Sequence, residues 1–227
     1  VRQGVTTLIS GNCGSSPFPL SEETFEQERE NLKEEYQIEL TWRDIHGFFS
    51  KLEEKGVALN YSSLVGQGSI RAAAMGLNDR RPTQEELEKM KALVSQNIEA
   101  GALGLSSGLE YTPSSFAQTD ELIELCKVVA QYKGIYATHM RDEEDFILDA
   151  LDEAIEIARK SGVSLEISHF KICFFRNWGK IGAALAKIEE AKKEGIDIFC
   201  DRYPYIAGAS GLSIFFPLWA REGTTED

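Results

Sequence analysis

The chain has 227 residues, 42% apolar and 27% charged, a composition that belongs to a folded globular protein and excludes a disordered one. Its formal charge of -13, with the basic residues scattered among carboxylates, excludes an extended phosphate-binding face, so no nucleic-acid partner is expected and a small molecule is. No apolar run approaches the roughly 18 residues that span a bilayer, no basic-then-apolar leader opens the chain, and Cys13, Cys126, Cys173 and Cys200 form no CxxC pair; these features predict a soluble, cytoplasmic protein without a disulfide framework.

Residues 5–9 (VTTLI) are β-branched and apolar and predict a buried strand. It runs into a Gly, Ser and Pro loop at 10–17, which places Cys13 just past the strand's carboxyl end. From 21 to about 50 the chain is acidic and then aromatic and predicts helices. His46 lies on one of them, follows no strand, and is assigned to surface or packing. Residues 57–65 (VALNYSSLV) predict the next strand, ending on Gly66-Gln67-Gly68, and a Gly- and Arg-rich connection follows. Thr83 with Glu86 three residues later forms a capping box and opens a helix whose apolar positions Leu87, Met90, Leu93, Val94 and Ile98 are core. Residues 101–107 (GALGLSS) predict a small-residue strand, and Gly108-Leu109-Glu110-Tyr111-Thr112-Pro113 a loop with one aromatic hydroxyl. Thr119 can cap the next helix, with Leu122, Ile123, Cys126, Val129 and Ala130 facing inward and Cys126 a small core residue.

The most informative stretch is 135–171, where two short β-type runs, IYATH and LEISH, each finish on a histidine, His139 and His169. Between them Ile147, Ala150, Leu151, Ala154, Ile155 and Ala158 recur at helical spacing on one face. A strand, helix, strand unit of this length joins parallel strands, so both imidazoles can project from the same carboxyl edge, where α/β proteins keep their chemistry. Cys173 falls in a loop, 177–193 predicts a helix with Ile181, Leu185 and Ile188 on its apolar face, and 196–200 (IDIFC) predicts a strand that buries Cys200. Strands thus begin near 5, 57, 102, 135, 165 and 196. The fold class is α/β, an incomplete TIM (β/α) barrel with about six of eight βα units. The absent first and last strands are expected before Val1 and after Asp227, adjacent in the ring, and both chain ends read as cut.

Cys13, His139 and His169 all follow strand ends on one face. A thiolate with two imidazoles suits Zn²⁺, and three protein ligands leave a fourth position for water.

The segments GVTTLISGNCGSSPFPL, RPTQEELEKMKALVSQNIEAGALGLSSGLEYTP, YATHMRDE, ISHFK, NWGK and DRYPYIAG, taken together and in this order, resemble the N-acyl-D-amino-acid deacylases (D-aminoacylases) of the amidohydrolase superfamily. The resemblance spans nearly the whole chain. It implies that residues 1–227 are part of a catalytic barrel that uses zinc to hydrolyse N-acyl-D-amino acids to a carboxylate and a D-amino acid. It implies that Cys13, His139 and His169 are the metal ligands, with Cys13 standing in for the bridging carboxylated lysine of many amidohydrolases, since 101–107 contains no lysine. Lys171 matches the residue that holds the substrate carboxylate; Tyr111 is a second contact, and Tyr205 and Ser210 are further ones. Arg141 and Asp142 form either a pair behind His139 that orients it or a surface ion pair. The family's HxH pair and its general-base aspartate on the last strand have no match here, so these 227 residues alone are expected to be inactive or nearly so. Gln67 stands where relatives often carry histidine. Two alternatives remain at this stage: a cyclic amidase of the hydantoinase or dihydroorotase kind, and a non-catalytic barrel fragment acting through its surface. An open barrel also exposes strand edges, which predicts self-association into homo-oligomers.

Overall fold

Local chemistry sets where the helices start. Ser21 accepts from the backbone N–H of Thr24 while Thr24 reaches back to Ser21, and Thr83 and Glu86 do the same, so two reciprocal boxes open α1 (Glu22–Tyr36) and α4 (Gln84–Glu99). Asp44 caps α2 (Ile45–Lys55) through the N–H of Gly47. A computed structural model describes residues 2–221. In chain order its remaining elements are β1 (Thr7–Ser10), β2 (Asn60–Ser63), β3 (Val65–Gly66), α3 (Gln67–Met75), β4 (Gly104–Gly108), α5 (Thr119–Gln131), β5 (Ile135–His139), α6 (Ile147–Ser161), β6 (Ser164–Ile167), α7 (Ile181–Lys193) and β7 (Ile198–Cys200).

Every strand pairing is parallel. One sheet is β1-β2 and the other β3-β4-β5-β6-β7. Leu64 separates β2 from β3, yet the Ser63 carbonyl accepts from Leu103 N–H at 2.9 Å, which ties the two sheets into one continuous arc. The strands therefore occupy six consecutive positions in sequence order, as an eight-stranded barrel would with two absent, and β1 and β7 do not pair with each other among the described residues. Helices pack outside: Ile147, Ala150, Leu151, Ala154, Ile155 and Ala158 of α6 are all buried, against a core that includes Leu105, Tyr136, Leu165 and Ile167 from the sheet.

Several expectations are corrected. The strand at 5–9 is not buried: Val5, Leu8 and Ile9 are 42%, 45% and 47% exposed. A barrel strand is buried by neighbours on both sides, and β1 has one. Cys200 is exposed for the same reason, at the arc's other edge in β7. The expected single strand over 57–65 is shorter and divided at Leu64. The Gly- and Arg-rich connection is mostly helix, α3, whose Arg71 is fully buried and pairs with Glu121 at 2.5 Å. Thr119 is the first residue of α5 and not its cap; Gln118 precedes it without a side-chain cap bond, and the Thr119 hydroxyl donates to Glu153 at 2.8 Å. Residues 175–180 form a tighter 3-10 turn before α7, and α7 buries Ala184, Ile188 and Ala191 while Ile181 and Leu185 stay exposed. His46 is exposed and Cys126 is core, as the sequence implied.

Candidate metal centre

Three loops at the carboxyl ends of strands build the site. After β1 the chain turns through Gly11, Cys13 and Gly14, all at positive φ (76°, 55° and 78°). Gly14 lies so close to the end of β4 that a Cβ there would sit 2.6 Å from the Gly108 nitrogen; only glycine allows the Cys13 turn to approach. His139 is the last residue of β5, and His169 follows β6 at φ 42°, its N–H held by the Asp201 carboxylate. Thr138 and Ile167 are register partners on adjacent parallel strands, which brings the two rings to 4.6 Å between centroids at 80°.

The Cys13 sulfur lies 3.4 Å from His169 Nε2, and ligand atoms of Cys13, His139 and His169 all fall within 4.8 Å of one another. Burial raises the Cys13 thiol, but hydrogen bonds to His139 and His169 outweigh it and bring its pKa from 9.0 to about 7. Burial lowers His169, and Cys13 and Glu143 overcome that and raise it to about 9. Without a metal, a Cys13 thiolate faces a His169 imidazolium between about pH 7 and about pH 9. A negative sulfur stabilised by a positive group is what a cation replaces. Tetrahedral zinc bonds of ~2.3 Å to sulfur and ~2.0 Å to nitrogen place their donors ~3.5 Å apart, so the Cys13 and His169 spacing fits the ion.

Two acids that the sequence reading did not single out complete the surroundings. Glu143, nearly fully buried, has Oε1 3.0 Å from His169 Nδ1, is ion-paired with Lys171, and lies 3.7 Å from His139 Nε2. Burial raises its carboxyl, and His169, His139 and Lys171 bring it below the ordinary range. Glu110 approaches His139 Nε2 at 3.0 Å, so Glu110, His139 and Glu143 form an overlapping acidic donor set around the same imidazole. His139 Nδ1 is buried without a hydrogen-bond partner among the described residues. The signal for Glu143 was its position four residues after His139, and for Glu110 its place beside Tyr111 in the loop after β4. Neither spacing singles out a carboxylate without the fold.

No family model matches the chain. Over 214 residues, 93% of the chain, it is 37% identical to D-aminoacylase of Alcaligenes xylosoxydans xylosoxydans and 35% identical to the N-acyl-D-glutamate deacylase of that organism. The N-acyl-D-glutamate deacylase of Bordetella bronchiseptica, solved with zinc and a phosphonate inhibitor that mimics the tetrahedral intermediate, superposes with a TM-score of 0.80 at 34% identity, over 89% of this chain and 42% of that one. Over nine-tenths of its length the chain is thus similar to D-aminoacylases, of which a solved example that defines a subset of amidohydrolases superposes at 37% identity with a TM-score of 0.80. It spans 43% of the length of the two Alcaligenes relatives.

Within this D-aminoacylase relative, Tyr111 stands edge-on to His139 at 4.8 Å between centroids, and burial raises its hydroxyl pKa. The Ser210 hydroxyl donates to the Tyr111 hydroxyl at 3.4 Å. Lys171 lies beside the cluster, 3.1 Å from His169 Nδ1 and 5.7 Å from the Tyr203 ring, and it is already ion-paired to Glu143. Tyr205 is 68% exposed and stands behind Tyr203, whose ring is 6.4 Å from its own. Arg141 and Asp142 match neither sequence reading. Arg141 binds Glu153 and the carbonyls of Ser115 and Ala117, and Asp142 accepts from the N–H groups of Glu144 and Phe146. They tie α6 and its entry to the loop after β4, and among the bonds they make none reaches His139. Gln67 is fully buried and donates to Glu121 at 2.8 Å while accepting from Ser114 at 2.6 Å, a packing role behind the Tyr111 loop.

Proposed function

We propose that this chain carries the metal-binding face of a zinc-dependent hydrolase that cleaves N-acyl-D-amino acids to a carboxylate and a D-amino acid. The observation that carries the reading is the convergence of Cys13, His139 and His169, with Cys13 Sγ 3.4 Å from His169 Nε2. Kinship with D-aminoacylase and the N-acyl-D-glutamate deacylase supports the substrate class. Zinc, when bound, supplies a Lewis acid that polarises the amide carbonyl and acidifies water.

The chain's own residues do the remaining work. Glu143 Oε1 stands 3.0 Å from His169 Nδ1, and the other ring nitrogen, Nε2, faces Cys13. The Lys171 ammonium, released from Glu143, pairs with the substrate carboxylate, and Tyr111, edge-on to His139, is a second substrate contact. Ser210 and Tyr205 line the approach behind Tyr111 and Tyr203. β4 contains no lysine, which favours a linear amide substrate over the cyclic amides handled by bridging-lysine amidohydrolases. In this reading residues 1–227 are six of eight βα units, and two further strands, one bearing the general-base aspartate, complete the active enzyme. No helix among the described residues is long and apolar enough to cross a membrane, and all four cysteines are unpaired, which fits the cytoplasmic setting inferred from sequence.

Elemental analysis tests the metal: the purified chain is expected to retain stoichiometric zinc and Cys13→Ala to lose it. With the completing strands supplied, N-acyl-D-amino acids should be hydrolysed and cyclic imides left intact. The opposite preference sinks the assignment in favour of a cyclic amidase.

A further inference from the structure

A cavity of 210 Å³ opens beside the metal centre, walled by Cys13, Ser16, Glu28, Ser69, Tyr111 and Ser114 among others. Cys13 and Tyr111 belong to both the cavity and the centre, whereas His139, His169 and Lys171 do not line it. The cavity therefore lies on the Cys13 and Tyr111 side, away from Lys171. In an N-acyl-D-amino acid the scissile carbonyl stands between the carboxylate end and the acyl group. A substrate with its carboxylate at Lys171 and its carbonyl at the centre directs its acyl group toward this cavity.

Polar and apolar groups share the lining almost equally, and Glu28 is its one carboxylate, with Cys13 and Tyr111 its other ionisable groups and no basic side chain among them. Glu28 is half-buried on α1 and has no hydrogen bond or ion pair among the described residues; the neighbouring cations Arg29 and Arg43 are engaged by Glu26 at 2.5 Å and Glu22 at 2.9 Å. A partly desolvated carboxylate without a counter-charge favours a cation and repels an anion.

We propose that this cavity is the acyl-group site and that Glu28 selects acyl groups bearing a positive charge over apolar ones, and apolar over anionic ones. The proposal rests on the hydrolase reading above and extends it to the part of the substrate that the metal centre does not touch.

Calorimetric titration of the zinc-loaded full chain tests it with four ligands that share D-methionine. N-(4-aminobutanoyl)-, N-pentanoyl- and N-succinyl-D-methionine have nearly equal length and differ in end charge, and N-acetyl-D-methionine, with the shortest acyl group, is the reference. The aminobutanoyl compound is expected to bind about tenfold more tightly than the pentanoyl compound, and the succinyl compound about tenfold more weakly. Glu28→Gln should remove this order, and Glu28→Lys should reverse it. Equal affinities in the unaltered chain, or the same order in Glu28→Gln, overturn the acyl-site proposal while binding of N-acetyl-D-methionine leaves the hydrolase reading standing. Failure of all four to bind overturns both.

Discussion

Glu143 is the residue on which the candidate centre turns, because one buried carboxylate touches His169, approaches His139 and holds Lys171. Outer-shell carboxylates fix the orientation and tautomer of a ligating imidazole. Glu143→Gln, which keeps the shape and removes the charge, is expected to weaken zinc binding ~10- to 100-fold, read by competition with a chromogenic chelator. An unchanged dissociation constant would show that His169 orients without it. Cys13 gives a second test, in the metal-free chain. Its pKa is lowered to about 7, while burial pushes Cys200 up to about 11 and also raises Cys126 and Cys173. A lowered thiol is reactive above its pKa and loses that advantage as pH falls through it. Iodoacetamide near pH 7.5 should therefore label Cys13 first, with selectivity fading below about pH 7, as peptide mapping by mass spectrometry would show. Prior labelling of Cys173 or Cys200 contradicts the paired thiolate.

At the scale of elements, the crossover from β5 through α6 to β6 is what places two histidines on one edge. Its apolar stripe is continuous, and Leu151 at its centre is 0% exposed. Truncating such a side chain removes its transfer free energy and leaves a cavity, so Leu151→Ala should lower stability by ~2–5 kcal/mol in urea unfolding. Because α6 seats both strands, zinc affinity should fall with it. This unit was legible in the sequence because its period and its strand ends are local. The helix α3 was not. Its start, Gly66-Gln67-Gly68, has the composition of a turn, and it is held by Arg71 in a buried pair with Glu121, 50 residues away.

For the whole molecule, the governing fact is an arc of parallel strands whose two edges pair with no further strand among the described residues. At one edge Val5, Leu8 and Ile9 are exposed, and at the other Phe199 is 57% exposed. Edge strands with apolar faces invite pairing with another chain. The purified chain is expected to self-associate, with an apparent mass in size-exclusion chromatography with light scattering that rises with concentration. A concentration-independent 25.3 kDa monomer would contradict this. The barrel order of the strands followed from regular βα alternation, since short connections between parallel strands leave few topologies. The exposure of β1 and β7 did not follow, because a strand's composition states what it can bury and only its neighbours decide what is buried.

Sequence by itself determined the elements whose signals are local: the capping box at Thr83, the one-faced helix at 147–161, and the histidines that end β5 and lie just past β6. It also supplied the three candidate ligands, since each stands just past a predicted strand. Tertiary structure alone decided that Cys13, 156 residues from His169, lies in contact with it, that Lys171 is engaged by Glu143, and that Glu28 faces a cavity shared with Cys13. The physical reason is range. Periodicity and capping act over a few residues along the chain, whereas charge pairing, desolvation and cavities are properties of groups that only the folded sheet brings within a few ångströms of each other.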